Sequence, residues 1–128
     1  MPTPSAQVAQ VTLHSLLVFA PDLPSAKSFY SQAFGLATRN ETDSHVELDG
    51  AGFRLTIFQC KSGSTADGYS SRAGSSIAFR VVDLEAEADR LRQLGATLLH
   101  TEPATGPVGR YIAFTDPFGT VHELVEAG

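Results

Sequence analysis

The sequence feature that most constrains this chain is an internal duplication. Ser15–Leu23 reads SLLVFAPDL, and Ser76–Leu84 reads SIAFRVVDL 61 residues later. Both segments contain β-branched or aromatic residues in an apolar run, which is typical of a strand, and both end in Asp-Leu. A repeat of this length indicates that one supersecondary unit occurs twice. The chain is therefore predicted to fold as two copies of the same unit.

A short amphipathic helix is predicted after each Asp-Leu pair, because an aspartate side chain caps a helix N-terminus well. The first helix should cover residues 24–34 and end at Gly35, and the second should cover residues 84–94 and end at Gly95. The residues predicted to form the two apolar stripes are Ala26, Phe29, Ala33 and Phe34 in the first helix, and Leu84, Ala88, Leu91 and Leu94 in the second.

Three short strands are predicted after each helix, separated by turn residues. Their ranges are 36–41, 45–49 and 53–59 in the first half, and 97–102, 110–115 and 120–126 in the second. Each half is therefore a β-α-β-β-β module. Two such modules side by side predict an α+β fold in which a curved mixed sheet surrounds a cleft, the usual place for a small-molecule site.

A length of 128 residues fits one compact domain. We expect an N-terminal tail over residues 1–10, module one over 11–60, a Gly/Ser-rich linker over 61–75 and module two over 76–126. The last three ranges divide one domain, 11–126, and do not suggest a second one.

Charge and composition argue against several classes of partner. The net charge is −5 and the nine Lys and Arg residues are scattered, so no basic surface for nucleic acid is expected. No apolar run approaches the roughly 18 residues that a membrane span needs, and the N-terminus lacks the features of a secretion signal. The single cysteine, Cys60, forms no internal disulfide. A cytoplasmic protein that binds neither membrane nor nucleic acid is expected.

Three features together resemble the vicinal oxygen chelate superfamily, which includes glyoxalases, bleomycin resistance proteins and extradiol dioxygenases. They are the paired strand–Asp-Leu–helix openings, the segment Ser28-Phe29-Tyr30, and the ending Ile112–Leu124, which reads IAFTDPFGTVHEL. The resemblance covers residues 11–126 and implies the glyoxalase/bleomycin resistance fold, a small-molecule ligand and a homodimer.

The superfamily's enzymes usually hold a divalent metal ion through His, Gln or Glu on the first and last strands of each module. The resemblance places these positions at Ser15, Thr56, Ser76 and Glu123. Neutral hydroxyls are poor ligands for zinc, nickel or iron, so one carboxylate is left to bind the ion. The prediction is that the chain uses no metal cofactor.

An alternative metal site remains open at this point. His14 precedes Ser15 and should point away from the cleft, because side chains alternate along a strand. A β-bulge would reverse this, and His14 with Glu123 could then hold a divalent metal ion, helped by His45 or Glu47 nearby.

Strand alternation also predicts which residues line the cleft. They are Ser15, Phe19, Arg54, Thr56, Phe58, Ser76, Arg80, Tyr111 and Glu123. One of the arginines would bind an anionic or polar group, or pair with Glu123, while the aromatic rings would stack on a planar group.

The sequence therefore favours a metal-free small-molecule-binding protein that sequesters a planar or aromatic drug or metabolite. The alternative is a glyoxalase-like lyase or isomerase, or a dioxygenase, that uses Glu123 with an atypical set of metal ligands. Glu123 could also serve as a general base without metal. A third hypothesis is a non-catalytic interaction module whose cleft is filled by its own side chains.

Overall fold

The structure, a computed structural model, describes residues 11–60 and 68–126. Their contacts divide the chain into two compact units. The first unit is Ser15–Ser76, and the second is Ile77–Gly128 together with Met1–His14. The predicted tail, 1–10, lies outside the described residues, as does 61–67 of the predicted linker. None of the helices in the described ranges is long and apolar enough to cross a membrane.

The elements follow the predicted order along the chain. They are β1 (Val11–Ala20), α1 (Leu23–Phe34), β2 (Ala37–Glu41), β3 (His45–Gly50), β4 (Phe53–Gln59), a 3₁₀ turn (Gly68–Ser70), β5 (Gly74–Val81), α2 (Leu84–Gln93), β6 (Thr97–Leu98), β7 (Ala104–Gly106), β8 (Gly109–Thr115) and β9 (Val121–Glu126).

In the first unit the strands lie in the order β2-β3-β4-β1. β1 runs parallel to β4, and the other neighbours are antiparallel. One face of this sheet packs against α1 through an apolar core of Ala20, Leu23, Leu36, Val46, Leu48, Leu55 and Ile57. Because strand side chains alternate, the residues between these core positions lie on the opposite face.

The second unit repeats this arrangement. Its strands lie in the order β5-β9-β8-β6, with β7 also pairing with β8, and β5 runs parallel to β9. The core under α2 consists of Val81, Leu84, Ala88, Ile112, Phe114 and Leu124. The predicted β-α-β-β-β pattern is confirmed in both units, with one additional short strand, β7, in the second.

The strand registers show how the two repeats correspond. Thr56 lies opposite Leu17, two residues after Ser15. Glu123 lies opposite Ala78, two residues after Ser76. Thr56 and Glu123 therefore occupy equivalent positions in their units, as the sequence comparison of the two halves predicted.

Both helices begin at the predicted aspartates. The Asp22 side chain accepts a hydrogen bond from the backbone N–H of Ser25, and the Asp83 side chain accepts one from Ala86. α1 ends at Gly35, whose φ of 66° lies in the left-handed region that glycine adopts without strain. These local contacts explain why two short helices form at fixed positions.

The predicted apolar stripe of α1 is partly wrong. Phe29 and Phe34 are 61% and 65% exposed, and the buried side of α1 is formed by Leu23, Ala26 and Tyr30. These three positions follow the spacing of one helix face, so both phenylalanines lie beside it. In α2 the stripe holds except at its last position, because Leu94 lies at the helix end and is 66% exposed.

Two predictions about the connecting segments also need correction. The expected strand 97–102 is only Thr97–Leu98, and a separate strand, Ala104–Gly106, follows. Pro103 between them has no backbone N–H to donate to β8. Within the predicted linker 61–75, residues 68–70 form the 3₁₀ turn and Gly74 begins β5.

The predicted turn after β8 is held by a carboxylate. The backbone N–H groups of Thr120 and Phe118 both donate to the Asp116 side chain, at 3.0 and 2.9 Å. These hydrogen bonds, that of Thr120 first, hold the pKa of Asp116 below its ordinary value of 3.8. The ionised Asp116 carboxylate therefore stabilises the turn at pH values above its ordinary pKa. This stabilisation is lost as the pH falls through the lower pKa that Asp116 has in the folded protein.

We expect the Asp116 carboxyl carbon to titrate below pH 3.8 in the folded protein when it is followed by NMR. In concentrated urea the same resonance should return to the ordinary midpoint, because the backbone donors no longer converge on it. A folded-state midpoint at or above 3.8 would contradict the assignment.

Candidate functional site

The face of the first unit opposite α1, here called the helix-free face, carries a group of polar and aromatic side chains. β1 contributes Ser15, Leu17 and Phe19, β3 contributes His45 and Glu47, and β4 contributes Thr56 and Phe58. The register places Glu47 directly opposite Thr56 and His45 directly opposite Phe58. Residues paired in this way share a face and lie within contact distance. The first unit therefore assembles a polar cluster from three strands.

Glu47 is the most unusual member of this cluster, because it is a carboxylate that is only 9% exposed. One oxygen, Oε2, lies 3.4 Å from His45 Nε2. The other, Oε1, lies 3.9 Å from Arg39 Nε. A buried carboxylate is costly unless it has such partners. The surrounding residues thus hold Glu47 in one orientation, with a cation on one side and an imidazole on the other.

Hydrogen bonds on both ring nitrogens fix the orientation of His45. The Thr42 hydroxyl accepts from the backbone N–H groups of Ser44 and His45, both at 3.2 Å. Its oxygen lies 2.7 Å from His45 Nδ1, and His45 Nε2 lies 3.4 Å from Glu47 Oε2. The tautomer in which Nδ1 accepts and Nε2–H donates fits both contacts. Thr42 therefore orients His45, and His45 orients the Glu47 carboxylate.

An aromatic row extends from His45 along the same face. The His45 ring stacks on Phe58 with centroids 5.7 Å apart, and Phe58 stacks on Phe19 at 6.0 Å. Tyr69, from the 3₁₀ turn, packs edge-on against Phe19 at 5.4 Å. Parallel and edge-to-face pairs are the favourable arrangements for such rings. The row gives the polar cluster a flat apolar neighbour.

The two superfamily ligand positions in the first unit do not fit a metal ion. Thr56 Oγ1 donates to Ser15 Oγ at 3.0 Å, and both side chains are buried. Neutral hydroxyls that hydrogen-bond to each other are poor ligands for a divalent transition metal. Over residues 11–60 and 68–126, no group of three or more His, Cys, Asp and Glu side chains is placed to hold one.

The alternative metal site needed His14 to share the face of Ser15. Leu16–Ala20 pairs residue for residue with Leu55–Gln59, so the β1–β4 register runs without a bulge over this range. Ser15 is buried and His14 is half-buried, as expected for neighbours on opposite faces. The shift that this alternative required is not seen in the paired part of β1.

The predicted site residues of the later strands lie in different surroundings. Glu123 is 7% exposed and lies between Ala78 and Ala113 on the neighbouring strands. Tyr111 lies two residues before Ala113 along β8, and its ring packs edge-on against His100 at 5.5 Å. Ser76 is buried and Arg80 is exposed.

The predicted anchor Arg54 has a partner within its own sheet. Its Nε lies 3.2 Å from Asp49 Oδ1, the residue directly opposite on β3. Asp49 Oδ2 also lies 3.5 Å from Arg39 Nη1, so Arg39 lies between Asp49 and Glu47.

A match in sequence identifies the family to which the chain belongs. The pattern of the Glyoxalase/Bleomycin resistance protein/Dioxygenase superfamily matches residues 12–124. The chain belongs to this superfamily. The match confirms the family that the sequence resembled, and the fold agrees with it. No curated protein matches the chain significantly in sequence.

Solved structures share the fold of this superfamily member. Methylmalonyl-CoA epimerase from Mycobacterium tuberculosis is 23% identical, with a TM-score of 0.75 over 100% of this chain and 93% of its own. A methylmalonyl-CoA epimerase bound to methylmalonyl-CoA and NH4+ is 22% identical, with a TM-score of 0.69 and coverage of 94% and 96%. A hypothetical protein from Bacillus halodurans is 16% identical, with a TM-score of 0.76 and coverage of 92% and 95%. At these identities the likeness shows the fold, while homodimerisation stays a prediction.

The sequence prediction centred on Glu123, and that role stays a prediction. His45 and Glu47 entered only as helpers of an alternative metal site, whereas the structure makes them the core of a polar cluster. The signal that could have identified them is the alternation in His45–Leu48, where polar side chains alternate with core residues. When a buried strand carries polar side chains at two successive positions of the same face, that face is more typical of a functional surface than of a packed core.

Proposed function

We propose that this superfamily member is an isomerase-type enzyme that removes and returns a proton at the carbon next to a carbonyl group. The single observation that supports this function is the Glu47 carboxylate, buried and oriented by His45. A positioned carboxylate is a standard general base, and burial beside a fixed donor keeps it in one geometry. This proposal moves the catalytic role from Glu123 to Glu47 and keeps the reaction class of the enzyme alternative.

In the proposed reaction Glu47 takes the proton from the substrate carbon, and a proton from protonated Glu47 or from solvent is then returned to that carbon. Return to the opposite face inverts the carbon, and return of a solvent-derived proton to either face gives exchange. Negative charge develops on the carbonyl oxygen while the proton is on the enzyme. Arg39 lies 3.9 Å from Glu47 and is 54% exposed, so its guanidinium can receive that oxygen without a change in fold. His45 keeps Glu47 in place, and the aromatic row covers one side of the reacting group.

The names of the fold neighbours support a choice of substrate class to test. Two of the structures reported above are named methylmalonyl-CoA epimerases, and one of them contains methylmalonyl-CoA. Epimerisation at a carbon next to a carbonyl proceeds through loss and return of its proton, which is the step that Glu47 is placed to perform. Branched acyl thioesters are therefore the first substrates to test.

The direct test is exchange of the substrate's carbon-bound proton with solvent. The protein is incubated in D₂O with methylmalonyl-CoA and other 2-methyl-branched acyl-CoA thioesters, and loss of the proton signal is followed by NMR. We expect catalysed exchange with at least one member of the series. Absence of catalysed exchange across the series would overturn the proposal.

A second candidate function is supported by a different observation. The aromatic row of His45, Phe58, Phe19 and Tyr69 favours a planar ligand, as expected for a metal-free protein that sequesters a drug or metabolite. Measuring both ligand binding and proton exchange on the same protein samples distinguishes the two functions. Saturable binding of a planar aromatic compound without exchange of any acyl thioester would favour the binding protein.

A further inference from the structure

A cavity of about 300 Å³ lies beneath α2 in the second unit. Its lining residues are Val11, Phe79, Glu87, Arg90, Leu91, Phe114, His122 and Leu124. All of them belong to the second unit, and none belongs to the polar cluster around Glu47. A space of this volume is at the lower end of the range for small-molecule sites.

His122 gives this apolar cavity a specific polar group. Its ring packs edge-on against Phe79 at 5.9 Å and is tilted against Phe114 at 5.7 Å. The Nδ1 atom is buried and has no hydrogen-bond partner among residues 11–60 and 68–126. A buried polar atom without a partner is costly, so a ligand that supplies one gains affinity from it.

The charged residues of the cavity neutralise each other. Arg90 Nε lies 3.0 Å from Glu87 Oε1, and the Glu87 side chain is only 13% exposed. Because the two charges offset each other, this edge of the cavity has no net charge to attract an anion or a cation. The electrostatics therefore select a neutral ligand.

We propose that this cavity is a second binding site for a compact, neutral aromatic molecule that carries one hydroxyl group, such as a simple phenol. The ring would pack among Phe79, Leu91, Phe114 and Leu124. The hydroxyl would bond to His122 Nδ1. Since a hydroxyl can both donate and accept, it satisfies this nitrogen in either tautomer of the imidazole. The site is independent of Glu47 and of the proton-transfer reaction.

The experiment uses 4-ethylphenol as the probe and compares it with ethylbenzene and 4-ethylbenzoate. Binding is followed by NMR through the methyl resonances of Leu91 and Leu124 and the ring resonances of His122. We expect saturable shifts with 4-ethylphenol and contacts from its ring protons to both leucines. Ethylbenzene should bind about two- to tenfold more weakly, the usual worth of one net hydrogen bond, and 4-ethylbenzoate more weakly still.

Two variants and a matched control localise the binding. Leu91→Phe fills the cavity and should abolish binding, whereas Leu94→Phe changes an exposed position on the same helix and should not. His122→Phe should lower the affinity for 4-ethylphenol to that for ethylbenzene. The proposal is overturned if the wild-type protein shows no saturable shifts or no ring contacts with Leu91 and Leu124. Equal affinity for 4-ethylphenol and ethylbenzene would overturn the role of His122.

Discussion

Glu47→Gln is expected to lower the rate of substrate proton exchange by about 10²- to 10⁴-fold, the usual contribution of a general base. The amide has nearly the same size and can still accept the hydrogen bond from His45 Nε2, so the packing of the helix-free face is retained. What it cannot do is take a proton from carbon. The measurement is kcat for exchange in D₂O, with the urea unfolding midpoint recorded on the same protein.

Glu41→Gln provides a matched control for this variant. Glu41 is in the same unit, and its carboxylate is exposed and paired with Lys27 on the surface. Exposed ion pairs contribute little, so exchange and stability should stay close to wild type. Exchange at the wild-type rate in a folded Glu47→Gln protein would contradict the role of Glu47 while leaving the phenol site under α2 untouched.

His45 is expected to act as a positioning residue. His45→Phe keeps a ring stacked on Phe58 but removes the donor to Glu47, so the carboxylate loses its fixed orientation. Misplacing a catalytic group can cost about 10²-fold in rate. We expect this loss in kcat with little change in KM. An effect confined to KM would indicate that His45 contacts the substrate instead.

Much of the fold follows from local sequence signals. Asp22 and Asp83 cap the two helices, and Gly35 ends the first helix. The apolar runs before these aspartates form β1 and β5, which pair in parallel with β4 and β9. These signals operate over a few residues and do not depend on distant contacts. The equivalence of Thr56 and Glu123 could be predicted for the same reason, because both repeats keep the same spacing.

The candidate site could not be predicted in the same way, because it depends on register and on turn contacts. Alternation places His45 and Glu47 on one face, but it does not show that Thr42 would fix the imidazole or that Arg39 would lie beside the carboxylate. Side-chain partners across strands depend on pairing that sequence alone specifies weakly. The wrong prediction that Phe29 is buried has a similar cause, since only the packed core shows which face of α1 is buried.

Ile57→Ala is expected to lower the free energy of unfolding by about 2 to 5 kcal/mol, the range for removing a large side chain from a core. Ile57 is fully buried on β4, lies between Val18 and Val46 on the adjacent strands, and belongs to the core under α1. Its neighbours are held by both strands and by the helix, so they close the resulting cavity only in part. Because domain stabilities are about 5–15 kcal/mol, the loss is a large fraction of the total.

Leu94→Ala is the matched control for this loss, because Leu94 is also a large aliphatic residue but is 66% exposed. Truncating a side chain that already contacts water should change stability by no more than about 0.5 kcal/mol. Urea unfolding followed by circular dichroism gives both values on the same scale. Equal midpoints for the two variants would mean that Ile57 is not in a packed core. A large loss for Ile57→Ala alone would show that this packed core stabilises the sheet that holds Glu47 and Thr56 opposite each other.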